Sequence, residues 1–248
     1  MPVMKTHEPM NQRRREMLGL AVAAALAGFP LAARPAADKS MKIGVIGSGR
    51  VGGTIGGHWV KAGYEVMFSA REIGEVKELV AGLGPRARAG TPREAAAFGE
   101  VVLISVPYSA LPQIGRDYAA ELKGKAVLDT CNPIQARDGE MAVAARAKGT
   151  GVASVEFLPG VRLVRAFSCV GATSMRSEAH RAGERLAIPL AADDEAALKI
   201  AIRLVQDAGF EPVVVGPLAR AKEFDVGTPV FGRALTAREL RKVLGIGS

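Results

Sequence analysis

The sequence predicts a doubly wound α/β fold built on a mostly parallel sheet. Two patterns predict it. Short β-branched runs recur with helical segments between them, and the first run leads directly into a glycine-rich turn and a helix. The chain has 248 residues, of which 48% are hydrophobic and 23% are charged, a composition that suits a soluble α/β protein with a sizeable core.

The elements follow from these patterns in chain order. The predicted strands are Lys42–Ile46, Glu65–Phe68, Ala87–Ala89, Val101–Ser105, Lys125–Asp129, Arg162–Ala166, Leu186–Leu190 and Glu211–Val215. The predicted helices are Arg50–Ala62, Ile73–Leu83, one begun by a Thr91/Glu94 capping box, Ala110–Leu122 capped by Ser109, Met141–Lys148, Ser154–Phe157, Asp194–Ala208 with Gly209 as C-cap, one opened by Gly216, and Ala237–Leu244. We expect the last two strands to form a small βαβ extension, and the loop 170–182 to overhang the carboxyl ends of the sheet.

The turn after the first strand predicts a ligand. Its sequence is Gly47-Ser48-Gly49-Arg50-Val51-Gly52. In this motif the first glycine permits the tight turn, the second lets the backbone approach a pyrophosphate, and the third lets the helix pack closely on the strand. The motif indicates a Rossmann-type dinucleotide site, with the pyrophosphate on the helix N-terminus. The alternative is that the glycines serve helix–sheet packing alone.

The end of the second strand favours NADP(H) over NAD. An NAD enzyme places Asp or Glu there for the ribose 2′-hydroxyl, whereas this chain has Ser69, Ala70 and Arg71. A guanidinium pairs with a 2′-phosphate, which a carboxylate would repel. The alternative is that Arg71 is only a solvated residue at the start of a helix, with Glu72 weakening its charge.

Residues 1–40 are predicted to be an export leader that precedes one NADP-binding domain, 41–248, of which 170–248 is the C-terminal extension. Arg13, Arg14 and Arg15 precede an uncharged run from Met17 to Ala33. The arginine pair resembles a twin-arginine signal, which predicts the twin-arginine export machinery as partner and a periplasmic location. The alternative is an uncleaved leader that anchors the protein to the membrane.

Composition excludes several other functions. Three Tyr, one Trp and eight Phe leave little for stacking nucleobases, so no nucleic-acid partner is expected. Three His and two Cys show no metal-ligand spacing, and the net charge of +8 gives a weak bias toward anionic ligands. Cys131 and Cys169 follow neighbouring strands and would form a disulfide or redox pair if they face one crevice; the other reading is buried apolar packing. The apolar face of the last helix suggests a homodimer.

The strand ends, taken in order, resemble those of the NADP reductases that depend on the deazaflavin coenzyme F420. Pyrroline-5-carboxylate reductases and the reductase domains of some membrane metalloreductases share this N-terminal domain. The resemblance covers about residues 41–222. The matching pieces are Ile46–Gly52, Ser69-Ala70-Arg71, Val106-Pro107-Tyr108, Asp129–Pro133, Val164–Phe167, Asp193-Asp194 and Gly216–Ala221.

The resemblance implies an NADP-dependent oxidoreductase that passes hydride directly between stacked rings to a flavin-like or F420-type acceptor, without catalytic acid or base residues. It also implies roles for the cofactor-binding residues. The pyrophosphate would be held by Ser48, Gly49, Arg50 and Val51, and the 2′-phosphate by Ala70 and Arg71. The path to the nicotinamide would be lined by Val106, Pro107, Ala110 and Asn132, and Ala166 would lie near the nicotinamide. Family members usually have Asn-Thr where this chain has Ser168-Cys169. Ser168 and Cys169 are therefore expected only as weaker substrate contacts. Tyr108, which follows the fourth strand, is also a weaker candidate, expected to stack near the cofactor or substrate. Two alternatives are an exported NADP-binding protein without turnover and a reductase of small imines or ketones.

Overall fold

In a computed structural model of the chain, residues 39–247 are described. The expected leader lies outside the described residues, apart from its last two positions. Within 39–247 no helix has both the length and the apolar character needed to cross a bilayer. In the same range no cluster of three or more His, Cys, Asp or Glu side chains is arranged to hold a metal ion.

Eight strands alternate with ten α-helices in the described chain. The strands are β1 (Lys42–Ile46), β2 (Glu65–Ser69), β3 (Ala87–Gly90), β4 (Val101–Ile104), β5 (Ala126–Asp129), β6 (Arg162–Arg165), β7 (Ala187–Ala192) and β8 (Glu211–Gly216). The helices are α1 (Arg50–Lys61), α2 (Ile73–Ala81), α3 (Pro92–Phe98), α4 (Leu111–Asp117), α5 (Ala119–Leu122), α6 (Gln135–Lys148), α7 (Thr150–Phe157), α8 (Ala172–Glu178), α9 (Glu195–Asp207) and α10 (Ala237–Leu244). Two 3₁₀ turns cover Tyr108–Ala110 and Leu218–Phe224.

The strands form one sheet in the order β3-β2-β1-β4-β5-β6-β7-β8. All neighbouring pairs are parallel except β6 and β7, which pair antiparallel through Val164↔Ala192 and Arg165↔Ala191. Strands β7 and β8 with α9 between them form the expected βαβ extension, joined to the sheet by the antiparallel pair. This confirms the Rossmann-type, mostly parallel α/β fold.

Two apolar clusters cover the two faces of the sheet, so the central strands are buried on both sides. One cluster contains Trp59, Phe68, Phe167 and the packed face of α9, and it extends under the C-terminal extension. The other contains Ile104, Tyr108, Leu111 and the inner faces of α6 and α7. Trp59 links sheet and extension, because its indole Nε1 donates to the Leu204 carbonyl at 2.8 Å.

The single helix predicted at Ala110–Leu122 is wrong. A 3₁₀ turn comes first, α4 begins at Leu111, and the chain breaks at Tyr118 before α5. Proline fits the first turn of a helix, where its missing N–H costs nothing, and α4 has a proline there. The Ser109 side chain makes no capping hydrogen bond.

The helix predicted at Met141–Lys148 is present, and a polar turn precedes it. The two together span α6 (Gln135–Lys148), but the backbone of Gly139 between them is not helical (φ +58°, ψ −141°). The segment 170–182 contains helix α8, which packs on α1 through a hydrogen bond between Nε2 of His58 and the Met175 carbonyl. The capping box at Thr91 and Glu94 is confirmed.

The final helix is covered within the chain. In α10, Leu240 is 2% exposed, and Ala237 and Leu244 pack against the core beside β7 and β8. The apolar face that suggested a homodimer is therefore largely occupied by the protein's own sheet. A homodimer stays a prediction without support from this face.

Candidate cofactor site

A cleft with two lobes opens at the carboxyl ends of β1, β2, β4 and β5, where open parallel sheets bind ligands. The first lobe has a volume of about 560 Å³ and the second a volume of about 320 Å³. The lobes meet at Gly49, Ser105, Val106 and Pro107, which line both. Of the predicted residues, the first lobe also contains Gly47, Ser48, Ala70, Arg71 and Ala110, and the second contains Arg50, Val51 and Asn132.

The glycine-rich turn has the geometry that its sequence predicts. Gly47 has φ +94°, and a Cβ there would lie 2.3 Å from the Ser105 carbonyl oxygen. A Cβ at Gly52 would lie 2.1 Å from the Gly47 carbonyl oxygen, so a side chain at either position would displace backbone. The backbone N–H groups of Gly47 and Ser48 both donate to the Ser69 carbonyl at 2.9 Å, which ties the turn to the end of β2.

Gly49 is glycine for a different reason. It caps α1 with extended backbone, and a Cβ there would meet no protein atom within 4 Å. The free space beside Gly49 is therefore available to a ligand. No side chain caps α1 and its first turn holds no acidic residue, so the first-turn amides are free to donate to anionic oxygens. These features fit the diphosphate of a dinucleotide.

The far end of the first lobe contains the residues that follow β2. Arg71 is exposed and lines the lobe, and among the described residues it has no ion pair. Glu72 and Glu75 line the same lobe, so this end of the lobe contains both positive and negative side chains. Ser69 does not reach the lobe. Its side chain is fully buried and its hydroxyl donates to the Val45 carbonyl at 2.8 Å, so the expectation that it binds cofactor is wrong and its role is to hold the turn.

The opposite wall of the first lobe comes from the 3₁₀ turn and α4. The sequence predicted three residues of this wall, Val106, Pro107 and Ala110. It did not predict the other residues that line the lobe here, which are Ser109, Gln113, Ile114, Tyr118 and, from α3, Pro92. The helical spacing of 110, 113, 114 and 118 was the available signal. Tyr108 points the other way. It is fully buried, its ring packs edge-on against Phe157 at 6.1 Å, and the expectation that it stacks on a ligand is wrong.

Asn132 faces the second lobe with a fixed amide. Its Oδ1 accepts from Nη2 of Arg165 at 3.2 Å, and its Nδ2 donates to the Ser168 carbonyl at 2.6 Å. Since a guanidinium only donates and a carbonyl only accepts, the two contacts set the orientation of the amide. One Nδ2 hydrogen is left for a ligand acceptor atom in the lobe. Thr130, Ile134 and Arg137 complete the wall.

Arg165 is the buried centre behind this wall, and sequence reasoning missed its role. Its Nη1 donates to Oδ2 of Asp129 at 3.0 Å and to the Cys131 carbonyl at 2.8 Å, and its Nη2 contacts Oδ1 of Asp225 at 3.3 Å. Burial alone would lower the pKa of Arg165, but the two carboxylates hold it above its usual value. The guanidinium thus joins the ends of β5 and β6 to the C-terminal segment and positions Asn132.

Asp138 joins the two loops that border the lobes. Its Oδ2 accepts from the backbone N–H of Ile134 at 2.9 Å, and its Oδ1 accepts from that of Ser109 at 3.2 Å. Burial would raise the pKa of Asp138, but these bonds and those from Arg137 lower it to about 2. The carboxylate therefore stays charged and holds the loop after β4 against the loop after β5.

The end of β6 lies below the surface of the cleft. Ala166, Ser168 and Cys169 are at most 5% exposed and line neither lobe. Phe167 has φ +56°, a strained conformation for a bulky residue, and its ring packs against Trp59 and Phe210. The Ser168 hydroxyl is buried and has no hydrogen-bond partner among the described residues. The structure therefore does not place these predicted residues in direct contact with the cleft.

The two cysteines do not face one crevice, and the structure supports the alternative of buried apolar packing. Their strands are neighbours, as predicted, but Cys131 packs in one apolar cluster and Cys169 in the cluster on the other face. Both are free thiols. Burial raises the pKa of Cys169 to about 12 and that of Cys131 well above its usual value, so neither is a reactive thiolate at neutral pH.

Comparisons with known proteins agree with this geometry. Residues 42–133 match the family model described as NADP oxidoreductase, coenzyme F420-dependent. No curated protein has a significantly similar sequence.

Several solved structures share the fold. A hypothetical protein from Sinorhizobium meliloti has a TM-score of 0.65 at 20% identity, covering 79% of this chain and 95% of that one. An F420-dependent NADP-reductase candidate from Arthrobacter sp. FB24 has a TM-score of 0.61 at 19% identity, covering 79% and 100%. An imine reductase variant from Myxococcus stipitatus, in complex with NAD⁺, has a TM-score of 0.54 at 20% identity, covering 75% and 58%. Residues 42–133 are thus similar to a family of NADP oxidoreductases, and the described chain shares the fold of these solved structures.

Proposed function

We propose that the protein is an NADPH-dependent oxidoreductase that reduces a flavin-like or deazaflavin acceptor. The observation that carries the proposal is the cleft itself, in which free amides at the start of α1 lie between a lobe that ends at Arg71 and a lobe that ends at Asn132. A dinucleotide diphosphate bound at those amides would place one nucleoside in each lobe. The family match supports NADP as the dinucleotide.

Arg71 supports the phosphorylated cofactor. It follows β2, where an NAD site would have a carboxylate, and it has no ion pair among the described residues. A 2′-phosphate would supply the anion that this exposed guanidinium lacks.

The second lobe supports a flavin-like acceptor over an imine or a ketone. Bound NADP(H) supplies a hydride, and the acceptor takes that hydride and one proton. Reduction of a small imine or ketone needs a positioned proton donor. Among described residues, the second lobe adds Thr130, Asn132, Ile134 and Arg137 to the glycine turn, and no His, Asp, Glu, Tyr or Cys. A flavin or deazaflavin nitrogen takes its proton from solvent.

The test is NADPH consumption with FMN, F420, a small cyclic imine and a small ketone as acceptors. We expect turnover with a flavin-like or deazaflavin acceptor and none with the imine or the ketone. Arg71→Asp should raise the KM for NADPH. Arg86→Asp is the matched control, because it makes the same charge change at an exposed site near the amino end of β3, and it should leave the KM for NADPH unchanged. NADPH binding without turnover on any acceptor would support a binding protein instead, and turnover only with the imine or ketone would contradict the acceptor class.

Export by the twin-arginine route remains part of the proposal, because a folded, cofactor-loaded protein suits that route. Its support is the sequence Arg13-Arg14-Arg15 followed by an uncharged run. Replacing Arg14 and Arg15 by Lys should retain the protein in the cytoplasm of a host that has this pathway. Unchanged periplasmic recovery would contradict the route.

A further inference from the structure

A third cavity lies along the outer side of α1, next to the cofactor cleft. This cationic groove has a volume of 330 Å³ and is lined by Arg50, His58 and Lys61 of α1, Arg176 of α8, and Leu79 and Leu83. Gly49 and Arg50 line both the groove and the second lobe, so the two are continuous at the start of α1.

The charge in the groove has one sign. Its lining includes three cations, Arg50, Lys61 and Arg176, and no Asp or Glu among the described residues. Within residues 39–247, neither Arg50 nor Lys61 has an ion pair, and Arg176 contacts only the Thr54 hydroxyl, at 3.5 Å. His58 adds no charge at neutral pH, because burial lowers its pKa. Such a concave surface attracts anions.

Gly57 lines the groove at a position where core packing does not require a glycine. Gly57 lies inside α1, where Ala would be more stable. A Cβ at Gly57 would meet only Cδ2 of Leu83, at an ordinary contact distance of 3.5 Å. The neighbouring Gly56 differs, because a Cβ there would lie 2.4 Å from Cε1 of Phe68. The missing side chain at Gly57 therefore leaves space in the groove that core packing does not require.

We propose that the cationic groove binds the anionic side chain of the hydride acceptor while the acceptor's ring lies at the second lobe. The inference rests on the proposed function and narrows the acceptor to a ring that carries a chain of phosphate or carboxylate groups. Arg176 contacts Thr54, which lies seven residues, or about 10 Å along the axis of α1, before Lys61. Cations spread over that length suit a chain of several anionic groups better than a single ion.

The first experiment compares two ligands with the same ring. Coenzyme F420 carries a phosphate and carboxylates on the ribityl chain of its deazaflavin, and the corresponding ribityl deazaflavin carries neither. Fluorescence titration of the protein saturated with NADP⁺ should show F420 binding roughly tenfold more tightly than the ribityl deazaflavin. Arg176→Ala and Lys61→Ala should each weaken F420 binding about threefold to tenfold and leave binding of the ribityl deazaflavin unchanged. Arg86→Ala is the control for lost surface charge.

The second experiment fills the groove. Gly57→Ala should raise the melting temperature and weaken F420 binding by roughly tenfold. Gly74→Ala is the matched control: it lies in α2, a Cβ there meets no atom within 4 Å, and it should leave F420 binding unchanged. Unchanged F420 binding in Gly57→Ala, or equal losses for both ligands in Arg176→Ala, would overturn the groove assignment.

Failure of the two proposals gives different results. If the wild-type protein oxidises NADPH with both deazaflavins but the groove variants treat them alike, the groove assignment fails and the reductase assignment stands. If NADPH binds but neither deazaflavin binds or is reduced, the acceptor class fails and the groove assignment fails with it.

Discussion

Gly49→Ala separates cofactor binding from folding at one position. The extended backbone of Gly49 (φ −66°, ψ −160°) is open to alanine, and the new Cβ would have no protein atom within 4 Å. Ala is a poorer helix cap than Gly, but it also restricts the unfolded chain, so we expect the free energy of unfolding to change by less than about 1 kcal/mol. The methyl group would instead occupy the space that a diphosphate needs.

The expected loss of affinity follows from the bonds that the methyl group would lengthen. Hydrogen bonds to charged groups contribute about 1.5–3 kcal/mol each. Losing two of them would weaken NADPH binding by about 3–6 kcal/mol, or roughly 10²- to 10⁴-fold. Calorimetric titration with NADPH measures the affinity, and urea unfolding measures the stability.

Gly52→Ala is the opposite control. Its Cβ would lie 2.1 Å from the Gly47 carbonyl oxygen, so it should destabilise the fold as well as binding. The reasoning would be refuted if Gly49→Ala bound NADPH within about threefold of wild type, or if it unfolded as readily as Gly52→Ala.

Other predictions concern buried groups. Burial would raise the pKa of Asp138, but its hydrogen bonds hold it at about 2, below the usual 3.8. The ionised carboxylate should therefore contribute about 2 kcal/mol to the free energy of unfolding above about pH 4, and this contribution should fall as the pH drops toward 2. Asp138→Asn should remove this part of the pH dependence of urea unfolding, and an unchanged pH profile in the variant would contradict the role of Asp138. Arg165→Met leaves two buried carboxylates without their cation and should lower the free energy of unfolding by about 3–5 kcal/mol; a loss below about 1 kcal/mol would contradict the buried network. Cys131 and Cys169 should resist iodoacetamide in the folded protein and react after unfolding, and labelling of the folded protein would show that either thiol is accessible.

Local patterns were enough to predict the fold. Seven of the eight strands contain β-branched residues, all except β3 (Ala87–Gly90), and the glycine turn identified the start of α1 correctly. Helix α4 was harder, because its apolar spacing continues through Tyr118 while the backbone breaks there. At the break the chain makes a contact with a residue distant in sequence, because Nη2 of Arg93 donates to the Asp117 carbonyl at 2.7 Å.

The parts of the candidate site formed by backbone were predicted from the sequence more accurately than the parts formed by side chains. Glycines and strand ends located the cleft. Ser69 and Tyr108 were misjudged because adjacency in sequence does not show which way a side chain points. Arg165 gave no signal, since an arginine in a short strand resembles a surface residue until Asp129 and the distant Asp225 are seen around it.

The most direct test of the central claim is a calorimetric titration of the purified protein with NADPH and, separately, with NADH. Both nucleotides should bind, and NADPH should be favoured by roughly 5- to 30-fold, which is about 1–2 kcal/mol for one exposed charge-assisted contact to the 2′-phosphate. Arg71→Asp should abolish or reverse that preference. Absence of NADPH binding to the wild-type protein would contradict the assignment of the cleft, and equal preference in wild type and variant would contradict the role of Arg71.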